Sequence, residues 1–110
     1  MTLDQVRAYA LSLPATTEEP HFDRTSFRVR GRIFVTARAG EGHIHVFVGE
    51  RQREPALALH AGHVGKLLWG GKATGLRVKL AKAPVAMVRA LVRAAWAERA
   101  PKSLLEAAPD

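Results

Sequence analysis

The run SFRVRGRIFVTAR, residues 26–38, decides how this chain folds. Apolar Phe27 and Val29 alternate with Ser26, Arg28 and Arg30, a period of two that belongs to a strand with one buried face. Gly31 supplies a turn and the apolar pattern resumes through Ile33 and Val35, so the run is a β-hairpin. Two registers are open. A three-residue loop pairs Val29 with Ile33 and Phe27 with Val35, whereas a two-residue loop sets Phe34 opposite Val29. Gly40 and Gly42 mark a second turn, and Ile44, Val46 and Val48 share one face of a third strand. Three consecutive strands therefore form a meander.

Upstream, Thr2-Leu3-Asp4-Gln5 is a capping-box pattern, and Leu3, Val6, Ala10 and Leu13 recur at helical spacing. This predicts a helix over residues 3–12, stopped by Pro14. Between helix and hairpin lies TTEEPHFDR, residues 16–24, dense in carboxylates. Catalysis there would need two carboxylates in distinct environments, or a base beside a nucleophile. Glu18 and Glu19 are adjacent on an extended loop and point apart. The segment reads as a lead-in loop, with Glu18, Glu19 and Pro20 turning the chain, Phe22 anchored in the core, and Asp23 and Arg24 tying the loop down.

Downstream, residues 50–61 change to helix formers, with a short helix expected from near Gln52 and Pro55 in its first turn. His63 to Trp69 reads as a weak strand or an irregular segment ending at Gly70-Gly71. GLRVKL, residues 75–80, alternates cleanly, with Leu76, Val78 and Leu80 inward and Arg77 and Lys79 outward. After Pro84, the residues Val85, Val88, Leu91, Val92 and Ala95 form one helical stripe, and Pro101 ends that helix. The order α-βββ-α-ββ-α argues for a two-layer α+β domain, an antiparallel sheet with helices on one face. One domain over residues 1–104 and a frayed tail over 105–110 are expected.

The composition narrows the chemistry. There is no cysteine, so disulfides and cysteine-based metal or nucleophile sites are excluded. No run approaches the roughly 20 apolar residues of a membrane helix, and the N-terminus has no signal-peptide pattern. A cytoplasmic protein with no membrane partner is expected. Phosphate-binding glycine motifs and nucleophile elbows are missing, which argues against an enzyme and leaves no catalytic residue or cofactor to name. His43 and His45 share a strand face, and His60 and His63 are three apart, yet neither pair has a third ligand in register, so no metal is assigned. Were a metal to bind, His43 and His45 would be the better pair.

Seventeen Lys and Arg against ten Asp and Glu leave a net charge of +7. Arg28, Arg30 and Arg32 surround the first hairpin tip, Arg38 precedes the second turn, and Lys72 precedes the strand carrying Arg77 and Lys79. Arginine-tipped hairpins suit a phosphate backbone. Phe27, Phe34 and Phe47 read as core residues, which leaves no stacking platform and favours duplex over single strands.

The stretch LSLPATTEEPHFDRTSFRVRGRIFVT, together with GLRVKL and VRALVRAAWAERAPKSL, resembles the YjbR-like (MmcQ/YjbR) family. The likeness runs from about Leu11 to Leu104. One departure is that the family often has a tryptophan where the strand here begins with Leu76; Trp69 lies seven residues earlier. The resemblance implies a compact α+β fold like that of type III secretion chaperones, and DNA binding by a double wing of β-hairpins. It carries over no catalytic residues. The expected function is weak, non-specific duplex binding through Arg28, Arg30, Arg32, Arg38, Lys72, Arg77 and Lys79. The alternative is a protein-interaction module or homodimer built on an apolar patch at Leu67, Leu68 and Trp69.

Overall fold

A computed structural model describes residues 1–107. Its first helix, α1 (Leu3–Ser12), starts at the expected capping box: Gln5 N donates to Thr2 Oγ1 at 3.2 Å and Thr2 N donates to Gln5 Oε1 at 2.9 Å. Val6, Ala10 and Leu13 are buried, as their spacing requires.

The meander is present, with one more strand than expected. Strands β1 (Thr16–His21), β2 (Arg24–Val29), β3 (Arg32–Ala37), β4 (His43–Val46), β5 (Val64–Trp69) and β6 (Lys72–Lys79) form one antiparallel sheet in the order β1-β2-β3-β4-β6-β5. Strand β1 is the segment read as a loop. It is an edge strand, where Pro20 is tolerated because its missing N–H breaks no inner ladder. Its only turn is Phe22-Asp23, since His21 pairs with Arg24. Phe22 is therefore not a core anchor: it stands at the hairpin tip with positive φ, 94% exposed.

The β2–β3 turn follows neither open register. Arg30 and Gly31 form a two-residue turn with φ of 52° and 79°, the paired positive values of a type I′ hairpin, and Val29 faces Arg32. Phe34 is then an extra residue in β3, a bulge that restores the pairing of Phe27 with Val35. The bulge lets both Phe34 and Val35 be buried.

Helix α2 (Glu50–Leu59) begins earlier than expected and carries Pro55 beyond its first turn. Helix α3 (Val85–Arg99) buries Val88, Leu91, Val92, Ala95 and Trp96, but Val85 lies outside the stripe at 49% exposure. Trp96 is fully buried and its Nε1 donates to Pro14 O at 3.1 Å, pinning α3 to the end of α1. A short helix α4 (Lys102–Leu105) lays Leu104 and Leu105 against the core, so the packed chain runs one residue past the expected boundary. Residues 108–110 of the expected tail lie outside the described residues.

The apolar residues of α1, α2 and α3 join Phe27, Val29, Val35, Ile44, Val46, Leu76 and Val78 in one core cluster. Among the described residues no helix covers the other face of the sheet. Two arginines roof part of it: Arg28 Nε donates to buried Ser26 at 2.9 Å, and Arg24 Nε donates to buried Thr36 at 3.2 Å.

Candidate nucleic-acid interface

Antiparallel pairing places the β2–β3 and β5–β6 turns at the same end of the sheet. Three strand widths separate them, which at the usual strand spacing is about 14 Å. Arg30, Arg32 and Lys72 stand at this end, all exposed. Arg30 and Lys72 have no carboxylate partner among the described residues. Arg32 Nη1 donates to Arg99 O at 3.3 Å, the carbonyl that ends α3, and its other donors meet no partner among the described residues.

Arg77 and Lys79 lie on the uncovered face, Arg77 between His45 and Gly65, Lys79 opposite His43. Both are exposed. The other two expected contacts have partners within the chain. Arg28 is held over Ser26 and Pro20 O, at 2.9 and 3.3 Å, and Arg38 pairs with Asp23 at 3.0 Å at the far end of the sheet.

The histidine pair sits in a cationic setting. The ring centroids of His43 and His45 are 5.4 Å apart. Burial, together with the charges of Arg24 and His43, lowers the His45 pKa to about 4 against the opposing pull of Glu41. His43 Nε2 lies 3.2 Å from Glu41, which is also bonded to Arg24. Among the described residues no three His, Asp or Glu side chains converge to hold a metal ion.

The uncovered face also holds a groove that the sequence reading missed, about 340 Å³ in volume. Its walls come from all six strands and the chain just after β4, including His21, Arg24, His45, Phe47, Leu67 and Trp69. Phe47 is only half-buried and faces this groove, so it is not confined to the core as expected. Phe27 and Phe34 are core residues, as expected. Trp69 is 81% exposed and Leu68 59%, so the LLW segment does not close the core beneath the Gly70-Gly71 turn. The signal for this groove was alternation in β5, where Leu67 and Trp69 share the face of Arg77; the bulge at Thr74 obscured it.

A six-stranded antiparallel sheet with helices on one face, a bare second face and basic hairpins at one end defines a class of small α+β domains. The sequence model of the YjbR family matches residues 11–98, and the chain belongs to that family. The crystal structure of Deinococcus radiodurans protein DR2400, a DUF419 domain, superposes with a TM-score of 0.79 at 18% identity, covering 99% of this chain and 90% of that one. At that identity the likeness speaks to the fold. No curated protein matches. No helix among the described residues is long and apolar enough to cross a membrane.

Proposed function

We propose that this YjbR-family domain binds duplex DNA weakly and without sequence choice through its two hairpin tips. The observation that carries the reading is the placement of exposed Arg30, Arg32 and Lys72 on two turns at one end of the sheet. Two cationic points about 14 Å apart, from the strand spacing, suit phosphates several steps apart on a backbone. Arg77 and Lys79 extend the positive surface onto the uncovered face. Such contacts give affinity from counterion release and carry no base information.

Fluorescence anisotropy of a labelled random duplex at about 50 and 200 mM salt tests this. Binding should fall steeply with salt. The double variant R30A/R32A should bind more weakly, with a log–log salt slope shallower by about 2, one for each lost phosphate contact. An unchanged slope removes the tips from the interface.

The exposure of Leu68 and Trp69 favours a second reading, a protein-interaction module using the LLW patch. Failure of any nucleic acid to bind at low salt would leave this reading standing.

A further inference from the structure

The uncovered sheet face has the chemistry of a base-stacking platform. Its groove sits at the lower end of the range for ligand pockets, about 300–1,000 Å³, with a volume of about 340 Å³. Four rings line it: those of Trp69, Phe47, His21 and His45. The exposed Phe22 ring adds an edge contact to His21 at 4.9 Å between centroids.

The polar part of the lining is cationic or neutral, and no carboxylate among the described residues belongs to it. Arg24 lines the groove, and its Nη2 is buried with no hydrogen-bond partner among the described residues. A buried, unpartnered guanidinium nitrogen costs free energy until an acceptor arrives. Lys72 stands opposite Trp69 across the turn, and Arg77 beside His45, each placed for a phosphate next to a stacked ring.

We propose that this groove takes unpaired bases of single-stranded nucleic acid, stacked on Trp69 and Phe47 with the backbone along Lys72 and Arg77. The proposal rests on the nucleic-acid reading above and shares Lys72 with it, but does not involve Arg30 and Arg32 at the β2–β3 tip. An acidic protein would also meet positive charge here. An exposed indole and a half-buried phenyl lining one groove, with an unmet donor on Arg24, fit a planar, acceptor-bearing base better than an aliphatic anchor. Sheet faces with exposed aromatics recognise single strands in this way, without needing sequence.

The protein carries its own reporter. Of two tryptophans, Trp96 is fully buried and Trp69 is 81% exposed, so a ligand that stacks on the face quenches Trp69 alone. The intact chain is titrated with short oligo(dT), with a duplex of equal length, and with poly-glutamate. Oligo(dT) should quench the emission and bind more tightly than the duplex. W69A should weaken oligo(dT) binding by at least about fivefold, the low end of what one stacked base is worth, and leave duplex binding unchanged. R30A/R32A should do the reverse.

Oligo(dT) binding without quenching, or with equal affinity for W69A, overturns the groove while the duplex arm still judges the tips. Equal quenching by poly-glutamate also overturns it, assigning the face to an acidic protein. If neither nucleic acid binds, both readings fall together.

Discussion

Arg24, at the start of β2, forms an ion pair with Glu41 in the β3–β4 turn, one guanidinium nitrogen contacting both carboxylate oxygens of a residue 17 positions away. The pair borders His45 and governs acid stability. Burial alone would raise the Glu41 carboxyl, but the Arg24 hydrogen bond and charge, with His43 and His45, hold it below the ordinary range. His45, by contrast, is kept neutral, with its pKa lowered from 6.5 to about 4. The unfolded chain binds a proton at His45 between those two values and the folded chain does not. Stability therefore falls as pH drops from 6.5 toward 4. From about 4.5, the ordinary glutamate value, downward the Glu41 contribution is lost in turn as the carboxylate protonates, overlapping the foot of that window. Urea midpoints should decline through this range, and H45Q should flatten the first part of the decline. By proton NMR, His45 should titrate near 4 and E41Q should move it lower still, because Glu41 is the charge that raises it. A midpoint near the ordinary histidine value would show that His45 is solvated.

The two tryptophans predict stability effects of very different size. Trp96 fills the core and donates to Pro14 O, so W96A should destabilise by about 3–5 kcal/mol, the cost of a large cavity plus an orphaned carbonyl. W69A removes an exposed ring and should stay within about 0.5 kcal/mol of the parent in chemical denaturation. A large loss at Trp69 would mean that the ring props the hairpin and is not free to bind.

Much of the fold was legible because local signals agreed with tertiary burial. The capping box at Thr2, the stripe from Val88 to Ala95 and the alternation of Leu76 and Val78 each buried what its period required. Strand β1 was not legible, because an edge strand needs little apolar surface. Glu18 is held by Arg7 and Thr25, at 2.9 and 2.7 Å, where an inner strand would present an apolar residue. Once β1 is a strand, its two-residue turn throws Phe22 into solvent, so the misread loop and the misplaced phenylalanine are one error. The groove was hidden for another reason. Its walls, from His21 to Trp69, meet only through sheet order and bulges, and neither is written in any single stretch of sequence.

Glycines in the β5–β6 hairpin divide by what surrounds them. A Cβ on Gly75 would lie 2.3 Å from Val46 O and 3.0 Å from Phe47 Cα, both backbone atoms that cannot swing aside. G75A should therefore separate β4 from β6, destabilise by about 1–3 kcal/mol or more, and disturb Phe47. Gly65 meets nothing within 4 Å, and G65A should leave thermal stability nearly unchanged. Comparable midpoints for the two variants would refute the tight β4–β6 approach.

Arg30 tests whether the hairpin tip is shaped for stability or for contact. It occupies the first position of a two-residue turn with φ of 52°, where a long side chain is strained and asparagine before glycine is favoured. R30N should therefore stabilise the domain by about 0.5–1 kcal/mol, relieving part of the left-handed penalty, which corresponds to a rise of roughly 2–8 °C in Tm for a domain of this size. The same change removes a cation from the tip and should weaken duplex binding, with a log–log salt slope shallower by about 1. Higher Tm with weaker binding would mean that strain is kept at Arg30 for the charge it presents. Higher Tm with unchanged binding would leave Arg30 a suboptimal turn residue and move the interface elsewhere on the basic surface.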